Sequence, residues 1–535
     1  MMSSWLDPSV LLKKLIESLR HRLKPLEPII APVAQIWRNL PSFVQLLLKS
    51  IAIGLGAAVI LHICRPYIPG VVPAERSATD WAINFWKDRS VESPALSERF
   101  VFVDIDEATY QQWGEQLFVP RDKLLALIRF AVVAQAKLLV VDTELTKRVA
   151  LVPAQTGGLS PREAGGDADE LLKNYLGSYS RLLPQGDGAE SRVPVIFVRS
   201  IGQPLLQPDA DGRIPDGTQH ETAASISEER PSEFLESTLA NSIVLHWASA
   251  LIERDDDGVV RDWRLFEPTC IKGTPNVTPS IALLAWALVR QPELDGGAFA
   301  VTRFRSGLRE RFAPPDTFCT RMASAGIPDP KARPSKAWRL IDRSLGKPVV
   351  LSLNPDDLEH RVFYKFLPDS VQAELFSRVR ASIITDPPVG RPLSPDWLKG
   401  KIVVIGSSYG AAHDRHVTPL GEMPGGLVVI NEINALLEYG QIREPDARIR
   451  WTVLIALIMA FSLSFSYFTK SWGTRVARLI INVLFIPLSL WLFQYGWWLD
   501  IVFPLMVLQA YGLLVDFQVE PQTIKRKAAS QASPR

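Results

Sequence analysis

Four long apolar stretches interrupt an otherwise mixed chain. The first covers about Leu46–Cys64, with Lys49 near its start and an uncharged run from Ser50 to Ile63. Three more crowd the C-terminal end at Trp451–Phe468, Leu479–Phe493 and Ile501–Val515. Crossing a bilayer takes roughly 20 mostly apolar residues, and some of these runs are slightly shorter. Buried core helices are the alternative, but three nearly charge-free runs set so close together favour four membrane helices.

Between the first run and the other three, the periodicity changes to that of an α/β domain. Arg99–Ile105 and Lys137–Val141 are continuous apolar runs rich in β-branched residues, the pattern of strands buried on both faces. Asp122–Ala136, between them, carries Leu124, Leu125, Leu127, Ile128 and Val132 at helical spacing. Further strands are expected at Val193–Val198, Ile243–His246, Pro348–Leu353 and Lys401–Ile405, and helices at Ser280–Val289 and Val428–Tyr439. Residues 146–190, 201–235 and 290–345 are rich in Gly, Pro and Asp and read as long surface excursions. The expected fold is a mixed or parallel sheet flanked by helices, plus four membrane spans.

Charge orients the spans. Residues 1–49 carry Lys13, Lys14, Arg20, Arg22, Lys24, Arg38 and Lys49. The loop after the second span carries Lys470, Arg475 and Arg478, and the tail Lys525, Arg526, Lys527 and Arg535. The turn Gln494–Asp500 has no Lys or Arg but holds Tyr495, Trp497 and Trp498, which suit a membrane interface. Both termini are therefore expected in the cytoplasm and the large domain outside it. The expected organisation is a cytoplasmic amphipathic segment over 1–42, a span over 43–65, an extracytoplasmic domain over 66–449, three spans over 450–517 and a short basic tail over 518–535. Leu11, Leu12, Leu15, Ile16, Leu19 and Leu23 give the first segment an apolar stripe for the inner leaflet or a partner. Equally, it is a solvated helix that only orients the anchor.

Composition narrows the class. Of 535 residues, 47% are hydrophobic and 22% charged, which excludes a disordered or fibrous chain. Lys+Arg 59 against Asp+Glu 57 leaves a net charge of +2, so no basic field points to nucleic acid. Three cysteines exclude a disulfide-dense scaffold. In an oxidising compartment Cys270 and Cys319 are candidates to pair.

Candidate chemistry gathers at strand ends. The strand ending Asp104-Ile105-Asp106 and the next, ending at Asp142, bring carboxylates to the edge where open α/β sheets take ligands. Capping and loop hydrogen bonds are the plain role for such groups, and a divalent cation is the alternative. A phosphatase Asp-x-Asp motif expects Thr or Val where Ala108 stands. Gly406-Ser407-Ser408-Tyr409-Gly410 has the Gly-x-Ser-x-Gly form of a hydrolase elbow. However, His413 and His416 are too near Ser408 to serve it, and Tyr409–Gly426 reads as a loop. Asp255-Asp256-Asp257-Gly258 reads as a tight turn with Gly258 at positive φ.

Several of these motifs together resemble the CHASE type 2 domain, a sensory extracellular domain associated with cyclases and histidine kinases. Val101-Phe102-Val103-Asp104-Ile105-Asp106-Glu107, then Pro120-Arg121, then Leu138–Asp142 resemble its opening. Asp257-Gly258-Val259-Val260-Arg261 looks like its middle turn. Leu398-Lys399-Gly400-Lys401-Ile402-Val403-Val404-Ile405-Gly406, with His413-Asp414, Thr418-Pro419-Leu420, Met423-Pro424-Gly425 and Asn431, looks like its closing signature. One span before and three after match the layout. Such proteins usually continue into a cyclase or kinase, whereas about 18 residues follow the last span here.

The resemblance implies a sensor or receptor subunit without its own catalytic domain, and no enzyme activity is expected. It is placed in a bacterial inner membrane, relaying a signal through its helices to a separate cytoplasmic effector. A structural or anchoring subunit of a larger membrane complex is the alternative, and an extracytoplasmic hydrolase a third. Membrane lipid, a complex subunit and a second copy of the chain are the expected partners. No cofactor is specified. The candidate ligand pocket comprises Asp104, Asp106, Asp142, Ser407, Ser408, His413 and Asp414.

Overall fold

The structure, a computed structural model, describes residues 37, 39–86, 99–148, 168–181, 192–202, 227–240, 242–252, 254–295, 297–314, 319, 337–343, 349–354, 359–366, 376–388, 393–440, 445–468, 470–493, 497–499 and 501–511. The chain divides into two units, one formed by the described residues up to Ala78, 445–493 and from Trp497 on, the other running from Thr79 to Gly440.

The first unit is helical. Helix α1 covers Ser42–Cys64, and α2 covers Val71–Trp86, its second half belonging to the other unit. In the α/β unit the helices used below are α3 (Arg121–Val133), α4 (Ala168–Arg181), α5 (Ile281–Arg290) and α6 (Gly425–Tyr439). Back in the helical unit, α7 covers Ala447–Tyr467 and α8 Trp472–Phe493. Helices α1, α7 and α8 are long and apolar enough to cross a membrane. Helix α8 contains a π-helical stretch, Ile480–Phe485, just before Pro487, whose missing N–H cannot continue the regular ladder. The fourth expected span falls partly outside the described residues. Its described part, Val502–Tyr511, is shorter than a crossing needs. Residues 1–36 and the tail 518–535 lie wholly outside.

Six parallel strands form the main sheet of the second unit. They are β1 (Phe100–Ile105), β2 (Leu138–Val141), β3 (Val195–Arg199), β4 (Leu245–Ser249), β5 (Phe376–Arg380) and β6 (Ile402–Ser407), in spatial order β5-β1-β6-β2-β3-β4. The chain crosses the sheet one way from β1 to β4, then returns to place β5 outside β1 and β6 between β1 and β2. All six residues of β1 are buried, as its unbroken apolar run requires. Its odd positions, Val101, Val103 and Ile105, join Leu139, Val141, Val403 and Ile405 in one core, covered by Leu124, Leu127 and Ile128 of α3 and Leu172 and Leu176 of α4. Burying each such Leu contributes about 1.5–3 kcal/mol. The even positions face α5 and α6.

Sequence and structure part company in the excursions. Helix α4 lies within 146–190, and a helix at Val301–Phe312 and a strand at Trp338–Asp342 lie within 290–345. Phe304, Leu308 and Phe312 are buried there, an i, i+4, i+8 stripe that the surrounding arginines mask in composition. Val349–Leu353 is a strand as expected, but it pairs antiparallel with Trp338–Asp342 in a separate small sheet. Likewise, Tyr409–Gly426 is no loop: strands Arg415–Thr418 and Gly421–Pro424 form an antiparallel hairpin, and α6 starts at Gly425. Strand β5, too, follows no expected run, because Ser377, Arg378 and Arg380 break its apolar pattern.

Candidate functional site

The register of the sheet builds one row across three strands. Asp104 pairs with Gly406, and since Ile405 pairs with Val141, the next position beside Gly406 is Asp142. Two carboxylates therefore flank a position without a side chain at the C-terminal edge of β1, β6 and β2. That gap is occupied from above. A Cβ on Gly406 would stand 3.3 Å from the Gly426 Cα and 3.1 Å from Phe102, so the start of α6 packs directly on the strand. Gly425 is equally constrained, because a Cβ there would meet the Asp414 carboxylate at 2.2 Å.

On one side of the row Asp104 is held by cations and hydroxyls. Arg378 donates to its Oδ2 from Nε at 2.8 Å and Nη2 at 2.5 Å, and Ser408 Oγ donates at 2.9 Å. Burial nevertheless pushes the Asp104 carboxyl above its ordinary range, with Arg378 and Ser408 pulling it back. Asp106 stands at the helix Glu107–Gln112, where its carboxylate caps the Thr109 N–H at 2.9 Å and pairs with Arg380 at 2.8 Å.

On the other side Asp142, Glu432 and Asp414 have no Lys or Arg partner among the described residues. Burial raises Asp142 to about 8, reinforced by the Asp414 charge, and raises Glu432 to about 8, reinforced by Asp142. Asp414 instead meets His416 Nε2 at 3.0 Å. Among the described residues no three His, Cys, Asp or Glu side chains gather closely enough to hold a metal ion.

The expected pocket residues thus divide. Asp104 and Ser408 are bonded, Asp142 and Asp414 sit near one another, and Asp106 serves as a cap. Ser407 is buried at a position paired with Ile105, on the opposite face of the sheet from the Asp104 row. His413 is exposed, with φ +52°, in the turn after the short helix Gly410–Ala412. Cys270 and Cys319 are joined by a disulfide, Cα–Cα 5.6 Å. Sequence reasoning missed Arg378 and Glu432. The Arg-x-Arg of β5 was the only available sign of the first, and a Glu within the largely apolar first half of α6 the sign of the second.

Two motif residues prove to be structural. Arg121 is 2% exposed, pairs with Asp169 and donates to the carbonyls of Glu144 and Lys147. Asn431 Oδ1 accepts from the N–H groups of Lys365 and Phe366, each at 2.8 Å, clamping an otherwise irregular buried segment. With β1, the Arg121 turn, the hairpin and α6 in place, the sequence can be compared with known families. The CHASE2 domain matches residues 55–467. The chain belongs to the CHASE2 family. CHASE2 is a sensory extracellular domain family, and membership is consistent with a sensory role. No curated protein and no solved structure matches the chain.

Proposed function

We propose that this CHASE2 protein is a membrane-anchored receptor subunit that detects a signal at the C-terminal edge of its main sheet and passes it to a separate cytoplasmic protein. The domain is held outside the cytoplasm of a bacterial inner membrane by four spans, with both termini inside. The observation that carries this reading is the row Asp104–Gly406–Asp142 beneath the start of α6. A ligand bound beside this row, at the edge of the sheet, would bear on α6, which leads in the sequence to α7, the first apolar helix after the domain.

A second connection supports the relay. Arg261, 5% exposed, binds Asp80 of α2 together with Asp255 and Asp257 of the turn at Gly258. Asn84, one turn further along α2, donates to the Pro419 carbonyl at the tip of the hairpin that carries Asp414 and His416. A shift of the hairpin is therefore felt by the helix that follows α1 in sequence. Such a switch needs a ligand that binds two arrangements unequally.

The test uses full-length protein in native membranes. Single cysteines at both termini and in the α/β unit, probed with an impermeant thiol reagent, give the topology. Mass spectrometry after mild-detergent purification gives the partner. A cytoplasmic kinase, cyclase or other effector is expected; recovery of envelope proteins alone, in fixed ratio, would replace the receptor with a structural subunit.

A further inference from the structure

Asp142 and Glu432 have no Lys or Arg partner among the described residues, and near them Asp414 meets His416 Nε2. Glu432 is 5% exposed, and its Oε1 is buried with no hydrogen-bond partner. Gly425 and Glu432 lie at i and i+7 of α6, hence on one side of the helix. Asp414 meets that side at Gly425, and Glu432 lies within electrostatic reach of Asp142. The Asp142 backbone is fixed, its N–H donating to the Ile405 carbonyl at 2.8 Å. The carboxylates are thus brought together by the sheet, the hairpin and α6 at once.

The other charged and titratable groups around them are accounted for. His416 Nε2 faces Asp414, and its Nδ1 lies 3.4 Å from Arg254. Tyr364 borders Glu432, and its hydroxyl donates to the Val260 carbonyl at 3.0 Å. Glu438, further along α6, is neutralised by Lys365 at 2.8 Å. No cation among the described residues balances Asp142 and Glu432. A buried carboxylate without a cation is costly, whereas a protonated carboxyl is tolerated.

We propose that Asp142 and Glu432 form a proton-binding site of the sensory domain, whose ionisation loosens α6 from the main sheet and the hairpin. This deepens the receptor reading above and rests on it for the consequence, though not for the binding. Burial raises both groups to about 8, so each is expected to hold its proton at neutral pH and to release it to solvent as the medium turns alkaline. Two nearby negative charges then stand with no Lys or Arg among the described residues to pair them, and the inexpensive relief is movement of α6. A metal ion is the lesser candidate, since no three ligands converge here.

Infrared spectroscopy of the full-length protein in lipid nanodiscs tests this by following the carbonyl stretch of protonated carboxyl groups from about pH 6 to about pH 9. The wild type should lose a band with a midpoint near 8; Glu432→Gln should remove one component, and Asp142→Asn should move the Glu432 midpoint down, because a like charge is gone. No titrating band, or the same band in both variants, overturns the proposal. So does a midpoint that falls by more than about one unit on adding magnesium, which would make the site a cation site. Cross-linking of a cysteine pair between α1 and α7 is recorded over the same range. If the band titrates while cross-linking stays constant, the proton site stands and the receptor reading falls.

Discussion

Arg261 grips Asp80 across 181 positions of sequence, with Nε at 3.0 Å from Oδ1 and Nη2 at 2.8 Å from Oδ2. The contact fastens the second half of α2, from Thr79 on, to the rest of the α/β unit. Arg261 also holds Asp255 and Asp257, which close the turn where Gly258 has φ +78°. Asp80→Ala removes one of three partners and should cost about 1–3 kcal/mol of domain stability. Arg261→Ala strands a partly buried cluster of three acids and should cost more, about 3–5 kcal/mol. Denaturant melts of the purified protein rank the two; equal losses would mean that Asp80 alone matters.

The pair Arg378–Asp104 predicts a pH dependence. The folded-state value for Asp104 already lies above the ordinary 3.8. Its ionisation therefore favours the unfolded chain, and stability contributed here is greatest at low pH and declines as pH rises. Arg378→Ala raises the folded value further, because burial loses its main opponent. The variant should match the wild type near pH 4 and fall below it by about 1–3 kcal/mol at neutral pH. A penalty that is constant from acid to neutral pH would remove the electrostatic explanation.

Close approach of α6 to the sheet predicts an overpacking series. A Cβ at Gly426 would stand 2.6 Å from the Phe102 ring and 3.5 Å from the Gly406 Cα. Gly426→Ala should therefore destabilise by about 1–3 kcal/mol, although alanine favours helix more than glycine does. Adding Phe102→Leu gives the new methyl room and should recover part of the loss. Thermal melts of the single and double variants measure it, and purely additive losses would contradict the geometry.

Disulfide Cys270–Cys319 closes a separation of 49 residues. Reduction should lower stability by about 2–4 kcal/mol, chiefly by freeing the unfolded chain. Cys270→Ala with Cys319→Ala should reproduce the reduced wild type and no longer respond to reductant. A melt insensitive to reductant in the wild type would count against the bond.

Much of this was legible in the chain. Apolar runs at Phe100–Val103, Leu138–Val141 and Ile402–Ile405, rich in β-branched residues and followed by polar or small ones, point to strands buried on both faces. Apolar length alone marks α1, α7 and α8, and the Asp-Gly turn at 257–258 follows from glycine's tolerance of positive φ. These are local properties, fixed by periodicity and steric preference over a few residues.

Tertiary structure alone decided which of those elements meet. Strand β6 inserts between β1 and β2, and only that order sets Asp104 and Asp142 on either side of Gly406. Arg378 reaches Asp104 from a strand 274 positions away that periodicity does not reveal. Glu432 looks from sequence like one polar residue on a helix, and burial under the fold leaves its Oε1 without a hydrogen-bond partner among the described residues. Ser407 and Ser408 are neighbours in the chain, yet the pleat sends Ser407 to the face opposite Asp104 while Ser408 bonds it. Local sequence sets where a side chain points along its own strand or helix; the desolvation and company that decide its charge come from segments hundreds of residues away.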